Sequence, residues 1–219
     1  MKDKVELILD YPSKIATMLL NDEIDVGLVP VTIIPKLNEH HIISDYCIGC
    51  DGEVGSVCLF SEVPLEKIER VLLDYQSNTS VDLLKLLITY HWKIDPDLIS
   101  TSENSRKEIQ GTTAGLIIGD RALEQRNIST YRYDLGAEWK KFTGLPFVFA
   151  TWVSNKKLPD KFIKQFNRTT GIGLQKIDNI VASLQYDMYD LHKYYSKNLV
   201  YKLDERLRKG MAEFLKMIK

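Results

Sequence analysis

Ile24-Asp25-Val26-Gly27-Leu28-Val29-Pro30-Val31 is a nearly continuous apolar run. Runs of this kind suit strands covered on both faces, as in the parallel sheets of α/β proteins. Upstream, Val5-Glu6-Leu7-Ile8-Leu9 reads as a second strand. Between the two, Pro12-Ser13 opens a helix, with Pro in the first turn and Ser as a cap. Its apolar face is Ile15, Met18 and Leu19, at helical spacing. Residues 5–31 are therefore expected to form a βαβ crossover, which places the chain in the α/β class.

The alternation continues downstream. A short helix is expected over residues 33–38, extended segments over 42–48 and 56–60, and a helix over 64–69. Val71-Leu72-Leu73-Asp74 reads as a strand, followed by a helix from near Thr79 that carries Val81, Leu84, Leu87 and Ile88. Ala114 to Ile118 reads as a strand leading into a helix over 121–125. Residues 160–219 read as helical, with apolar positions such as Leu203, Leu207, Met211, Phe214 and Leu215.

Composition narrows the function classes. The 219 residues carry 29 basic and 30 acidic side chains, a net charge of −1. A neutral balance argues against a nucleic-acid or anionic-membrane binder. Apolar residues make up 44% and charged ones 27%, which excludes disordered and collagen-like classes. Cys47, Cys50 and Cys58 form an odd, sparse set that suits a reducing compartment. Met1-Lys2-Asp3-Lys4 has no apolar run behind it that would make a leader, so a cytoplasmic location is expected.

Two strand-to-helix junctions are the candidate sites. In Asp74-Tyr75-Gln76-Ser77-Asn78-Thr79-Ser80, small polar residues occupy the expected helix start. Unpaired N–H groups and the helix dipole there attract a carboxylate or phosphate, and the hydroxyls of Ser77, Thr79 and Ser80 add donors. Ordinary N-capping uses the same residue types. Gly119-Asp120 closes the second strand: Gly permits close approach of a ligand to backbone, and Asp can take a ligand hydroxyl. Here too the plain alternative is that Asp120 is an N-cap. In open α/β sheets, however, ligands bind beyond the carboxyl ends of strands, where both junctions lie. A third segment, Cys50-Asp51-Gly52-Glu53-Val54-Gly55-Ser56, is a glycine-spaced turn into a strand, and Ser56 either faces a cleft or belongs only to a turn.

Other chemistries are disfavoured. Cys47-Ile48-Gly49-Cys50 lacks a second pair for zinc and sits in extended context, unlike redox C-x-x-C motifs. None of His40, His41, His91 or His192 falls in these turns, and no G-x-S-x-G or H-E-x-x-H pattern occurs. Gly171-Ile172-Gly173 lacks the third glycine of a dinucleotide loop, and no P-loop pattern is present. The most unusual stretch is residues 133–152, where Thr143-Gly144-Leu145-Pro146 runs straight into Phe147-Val148-Phe149. It reads either as aromatic core or as a strand crossing between two lobes.

At these residues the chain resembles the MqnA family of menaquinone biosynthesis, the chorismate dehydratases of the futalosine route. The matching stretches are EIDVGLVPV (23–31), DGEVGSVCLFS (51–61), DYQSNTSVDLLKLL (74–87), AGLIIGDRAL (114–123), residues 134–152 and YSKNLVYKLDERLRKGMAEF (195–214). They follow in order over nearly the whole chain. The sister MqnD family shares the D-L-G-x-x-W and T-G-L-P elements but continues differently after them.

The resemblance implies a type II periplasmic-binding-protein-like fold of two α/β lobes with a hinge and a helical C-terminal segment. Residues 1–55 with 152–219 would form one lobe and 56–151 the other. It implies loss of water from chorismate to give 3-[(1-carboxyvinyl)oxy]benzoate, with no metal or organic cofactor. The expected substrate-binding set is Ser56, Ser77, Asn78, Thr79, Ser80, Gly119 and Asp120. Dihydroxynaphthoate synthesis and non-catalytic binding of a small carboxylate are the alternatives. The family opens with a strand and a Ser-Tyr-x-Asn-Thr turn upstream of this start, and its catalytic residue is implied to be that Asn. This chain begins at what should be the second strand. The expectation is therefore an unpaired sheet edge and a polypeptide that aggregates or turns over poorly until an upstream segment is restored.

Overall fold

A computed structural model describes residues 5–101 and 105–219. Met1–Lys4, read above for the lack of a leader, lie outside the described residues. Among the described residues nine strands fall into two sheets. They are β1 (Val26–Pro30), β2 (His41–Cys50), β3 (Val57–Ser61), β4 (Arg70–Leu73), β5 (Asp97–Ser100), β6 (Thr113–Ile118), β7 (Tyr131–Asp134), β8 (Phe147–Ser154) and β9 (Val200–Lys202). One sheet has the order β1-β8-β2-β9, and the other has the order β5-β4-β6-β3-β7. The helices are α1 (Pro12–Leu20), α2 (Asn78–Leu86), α3 (Asp120–Gln125), α4 (Leu135–Thr143), α5 (Asp160–Leu174), α6 (Ile177–Ala182), α7 (Leu191–Lys193) and α8 (Glu205–Met217). The mixed α/β architecture agrees with the sequence reading.

The first sheet corrects that reading in one respect. Residues 5–9 form no strand, and Leu7 and Leu9 stand 73% and 83% exposed. The expected βαβ crossover is absent, because among the described residues β1 pairs with β8 alone, and antiparallel. The residues of 5–9 have strand propensity, but propensity expresses fit to neighbouring strands, and no neighbour borders them here. Ser13 lies inside α1 rather than capping it. Tyr11 takes the cap position and Pro12 the first turn.

Other boundaries shift less. The expected helix at 33–38 is a 3-10 turn, Val31–Lys36, and that at 64–69 is a single 3-10 turn, Leu65–Lys67. The α2 helix runs on as a π-turn through Leu87–Trp92 and stops at Lys93, in the left-handed region. The C-terminal third is not helical throughout, since it contributes β9 to the first sheet. Both expectations for residues 133–152 hold in part. Trp139, Phe147 and Phe214 are fully buried and meet edge-on, with ring centroids 4.8–6.0 Å apart. The strand β8 lies inside the first sheet between β1 and β2, so the chain crosses between sheets in the turn just before it.

The other crossing, residues 51–56, is clamped by charge. The Asp134 carboxylate caps α4 through Ala137 N–H (3.1 Å) and also accepts from Val54 N–H (3.0 Å) and Gly55 N–H (2.7 Å). Arg126 donates to Gly55 O (3.0 Å) and pairs with Glu53. Asn198 holds Glu53 O from the C-terminal segment at 3.0 Å. Asp134→Ala is expected to cost about 3 kcal/mol, because it orphans buried amides as well as a helix cap. Denaturant unfolding measures this, and a loss near the ~1 kcal/mol of an ordinary cap would contradict the clamp.

Candidate functional site

The strands β4 and β6 are adjacent and parallel, so their carboxyl ends lie side by side. Each leads into a helix start, α2 after β4 and α3 after β6. The two sequence-predicted junctions therefore meet at one end of the five-stranded sheet. Arg121 joins them. From the first turn of α3 its Nη2 donates to Asp74 Oδ2 and to Gln76 Oε1, both at 2.7 Å. Its guanidinium also lies over the Tyr75 ring, 5.4 Å from the centroid. The Asp74 side chain is only 2% exposed, and burial raises its pKa against the lowering effects of the Gln76 amide and Arg121.

At the start of α2 the plain capping alternative holds for Ser77. Its Oγ accepts from Ser80 N–H (3.3 Å) and from Ser80 Oγ–H (3.0 Å). The Ser80 proton is thus spent on Ser77 rather than offered outward. With both acceptor positions of Ser77 filled, its own proton is the one directed away from the cap. Asn78 is exposed, and the amides of Asn78 and Thr79 sit in the first helical turn, where no intrahelical acceptor exists. Thr79 is buried and its hydroxyl meets that of Thr32 at 3.3 Å, in the 3-10 turn after β1.

At the second junction Gly119, not Asp120, is the cap, with φ 66° and ψ −150°. Only glycine adopts that backbone without strain. Its N–H donates to Ser56 O at 2.8 Å, which brings the third candidate segment to the same place. Ser56 is buried, and its Oγ accepts from the Tyr194 phenol at 2.8 Å. Tyr186 OH reaches Asp120 O at 3.4 Å. A connected series of contacts and chain neighbours results, from Thr32 through Thr79, Ser77, Gln76, Asp74, Arg121, Asp120, Gly119 and Ser56 to Tyr194.

Burial pushes the Tyr194 phenol up to about 12, with Ser56 opposing and the negative charge of Asp120 adding to the rise. The same causes, burial first, raise Tyr195 and Tyr186. A folded-state value above the ordinary 10 contributes stability that is whole below pH 10 and is lost as the pH climbs towards 12. Phenolate absorbance in an alkaline titration is expected to show late-titrating tyrosines, of which Tyr194→Phe removes one, while Tyr201, also raised by burial, remains. Cys47 is likewise pushed to about 12 by burial, and Cys50 and Cys58 are raised by it too. None of the three is thiolate near neutrality.

Sequence reasoning brought Ser56, Ser77, Asn78, Thr79, Ser80, Gly119 and Asp120 forward, and the fold gathers their segments at one end of one sheet. It did not single out Arg121, Asp74, Thr32 or Tyr194. Arg121 stood next to Gly119-Asp120, and only the adjacency of β4 and β6 gives it meaning. Tyr194 lies 138 residues from its partner, and no local pattern marks it.

Two sheets bridged by short crossings, with strand-to-helix junctions grouped at a sheet end, define a periplasmic-binding-protein-like α/β protein. The fold is similar to that of a protein from Archaeoglobus fulgidus (TM-score 0.71, 15% identity, covering 97% of this chain and 84% of that one). It is also similar to a Candida albicans gene product described as having the generic periplasmic binding protein fold (TM-score 0.52, 11% identity, 95% and 77% covered). The chain belongs to the family described as menaquinone biosynthesis, whose model matches residues 1–219. It is 27% identical to the chorismate dehydratase of Thermus thermophilus over 227 residues, covering 93% of this chain and 83% of that enzyme. It is 28% identical to the chorismate dehydratase of Campylobacter jejuni over 141 residues, covering 63% of each. Among the described residues no helix is long and apolar enough to cross a membrane.

Proposed function

We propose that this protein dehydrates chorismate to 3-[(1-carboxyvinyl)oxy]benzoate in menaquinone biosynthesis by the futalosine route, in the cytoplasm. The observation that carries the reading is the joining of the two strand-to-helix junctions through Arg121, in a chain whose curated relatives are chorismate dehydratases. Chorismate carries two carboxylates and a ring hydroxyl. The α2 start, the outward Ser77 proton and Arg121 suit one carboxylate, and Ser56 suits the other. Asp120, exposed at the junction, suits the hydroxyl.

The elimination breaks a C–H bond at the ether-bearing ring carbon and the C–O bond of the neighbouring hydroxyl. Aromatisation makes this strongly downhill, so the protein chiefly positions the substrate and stabilises developing charge. The substrate's own side-chain carboxylate is well placed by chemistry to take the proton, with the hydroxyls, amides and Arg121 at the two junctions holding it in reach. Two lobes, residues 1–55 with 152–219 and residues 56–151, are part of the proposal. The pairing of all of β8 with the first sheet favours a second boundary nearer Gly144.

Incubating the purified protein with chorismate tests this. The expected result is an aromatic product with the mass of chorismate less water. Tight binding of chorismate without turnover would instead assign a carboxylate-binding role, and neither would refute the reading.

A further inference from the structure

The Tyr194–Ser56 contact joins the C-terminal segment to the end of the five-stranded sheet, and capping does not account for it. Tyr194 lies in the π-turn Tyr194–Asn198, and its ring is held edge-on between Tyr195 (4.9 Å, 63°) and Tyr189 (6.4 Å, 86°). Ser56 is held equally firmly. Its carbonyl accepts from Gly119 N–H, and the residues before it are clamped by Asp134 and Arg126. A hydroxyl has one proton. Because the Ser56 oxygen accepts from the phenol, that proton is directed away from Tyr194.

We propose that Tyr194 is a positioning residue: by donating to Ser56 it fixes the serine rotor so that the Ser56 proton meets the ligand's carboxylate. The identity of that ligand as chorismate rests on the proposed dehydratase reading, but the orientation of the serine does not. With the phenol gone, Ser56 remains in place but its hydroxyl is free to rotate. Carboxylate binding then loses a preset donor, while the elimination chemistry is untouched.

The test compares wild type, Tyr194→Phe, Ser56→Ala and the double variant, by chorismate kinetics and by calorimetric binding of benzoate as a carboxylate probe. Tyr194→Phe is expected to raise KM and the benzoate Kd about tenfold, the worth of one oriented hydrogen bond, with kcat within about threefold. In the Ser56→Ala background the same change is expected to add less than about twofold, because the two residues act as one unit. Equal losses in both backgrounds, or no loss from Tyr194→Phe, overturn the proposal. Coupled losses in benzoate binding by a protein that leaves chorismate intact sink the dehydratase reading and keep the positioning role. Failure of the wild type both to bind benzoate and to turn over chorismate overturns both. Should Tyr194→Phe fail to fold, Ser56→Ala alone decides: an unchanged KM and benzoate Kd overturn the proposal.

Discussion

Arg121→Ala is expected to lower kcat/KM for chorismate about 100-fold and the melting temperature by about 10 °C. Both effects have one origin. The Asp74 carboxylate is 2% exposed and Arg121, 26% exposed, is its paired charge. Removing one partner of a buried pair costs about 3 kcal/mol or more, because the remaining charge stays buried alone. At this chain length each kcal/mol shifts the melting point by roughly 2–4 °C. The kinetic loss is separable from the stability loss. In an Arg121→Ala/Asp74→Asn double variant the orphaned charge is gone, so most of the melting temperature is expected to return. The catalytic loss is expected to persist, because the cation joining the two junctions is still missing. An Arg121→Ala enzyme with wild-type kcat/KM would remove Arg121 from the site.

Gly210→Ala is expected to destabilise the fold by about 3 kcal/mol, against the general rule for helices. Alanine in a helix interior normally exceeds glycine by about 1 kcal/mol. Here a Cβ on Gly210 would sit 2.0 Å from the Pro146 carbonyl oxygen. That oxygen belongs to the turn that carries the chain between sheets, and it accepts from the Trp139 indole at 3.1 Å. To fit the methyl group, either α8 or the turn must move, and the indole bond goes with it. Urea unfolding and the Trp139 emission report the two consequences together. Gly173→Ala in α5 is the control: apart from its chain neighbours and the backbone of its own helix, nothing lies within 4 Å of its Cβ position, and the ordinary helix gain is expected. A stabilised Gly210→Ala protein would show that the close approach is absent.

Much of the second sheet was legible because β4 and β6 are short apolar runs, each followed at once by small polar residues or glycine. That pattern is local, and it located both junctions. The edge strands β5 and β7 went unread for the opposite reason. The residues of β5 are exposed throughout and those of β7 are exposed or half-buried, so burial imposes little pattern on either. Residues 5–9 failed in a third way. Val5, Leu7, Ile8 and Leu9 satisfy a strand's local preference, but a ladder needs a bordering partner, and that is a fact of topology. Within the site, hydroxyl-rich helix starts can be found from sequence, whereas the direction of each hydroxyl proton depends on the donor that fills its lone pairs. Ser80 supplies that donor for Ser77 from three residues away, and Tyr194 supplies it for Ser56 from 138.

The five-stranded sheet is drawn from one uninterrupted span, Val57 to Asp134, while the four-stranded sheet needs β1 and β2, then β8, then β9. Synthesis on the ribosome therefore imposes an order on assembly. The inner span has all its strands once Asp134 has emerged from the exit tunnel, while the nascent β1 and β2 wait for β8, which runs between them in the finished sheet. Through that interval two apolar strands have no ladder partner, and a chaperone that shields them has its window there.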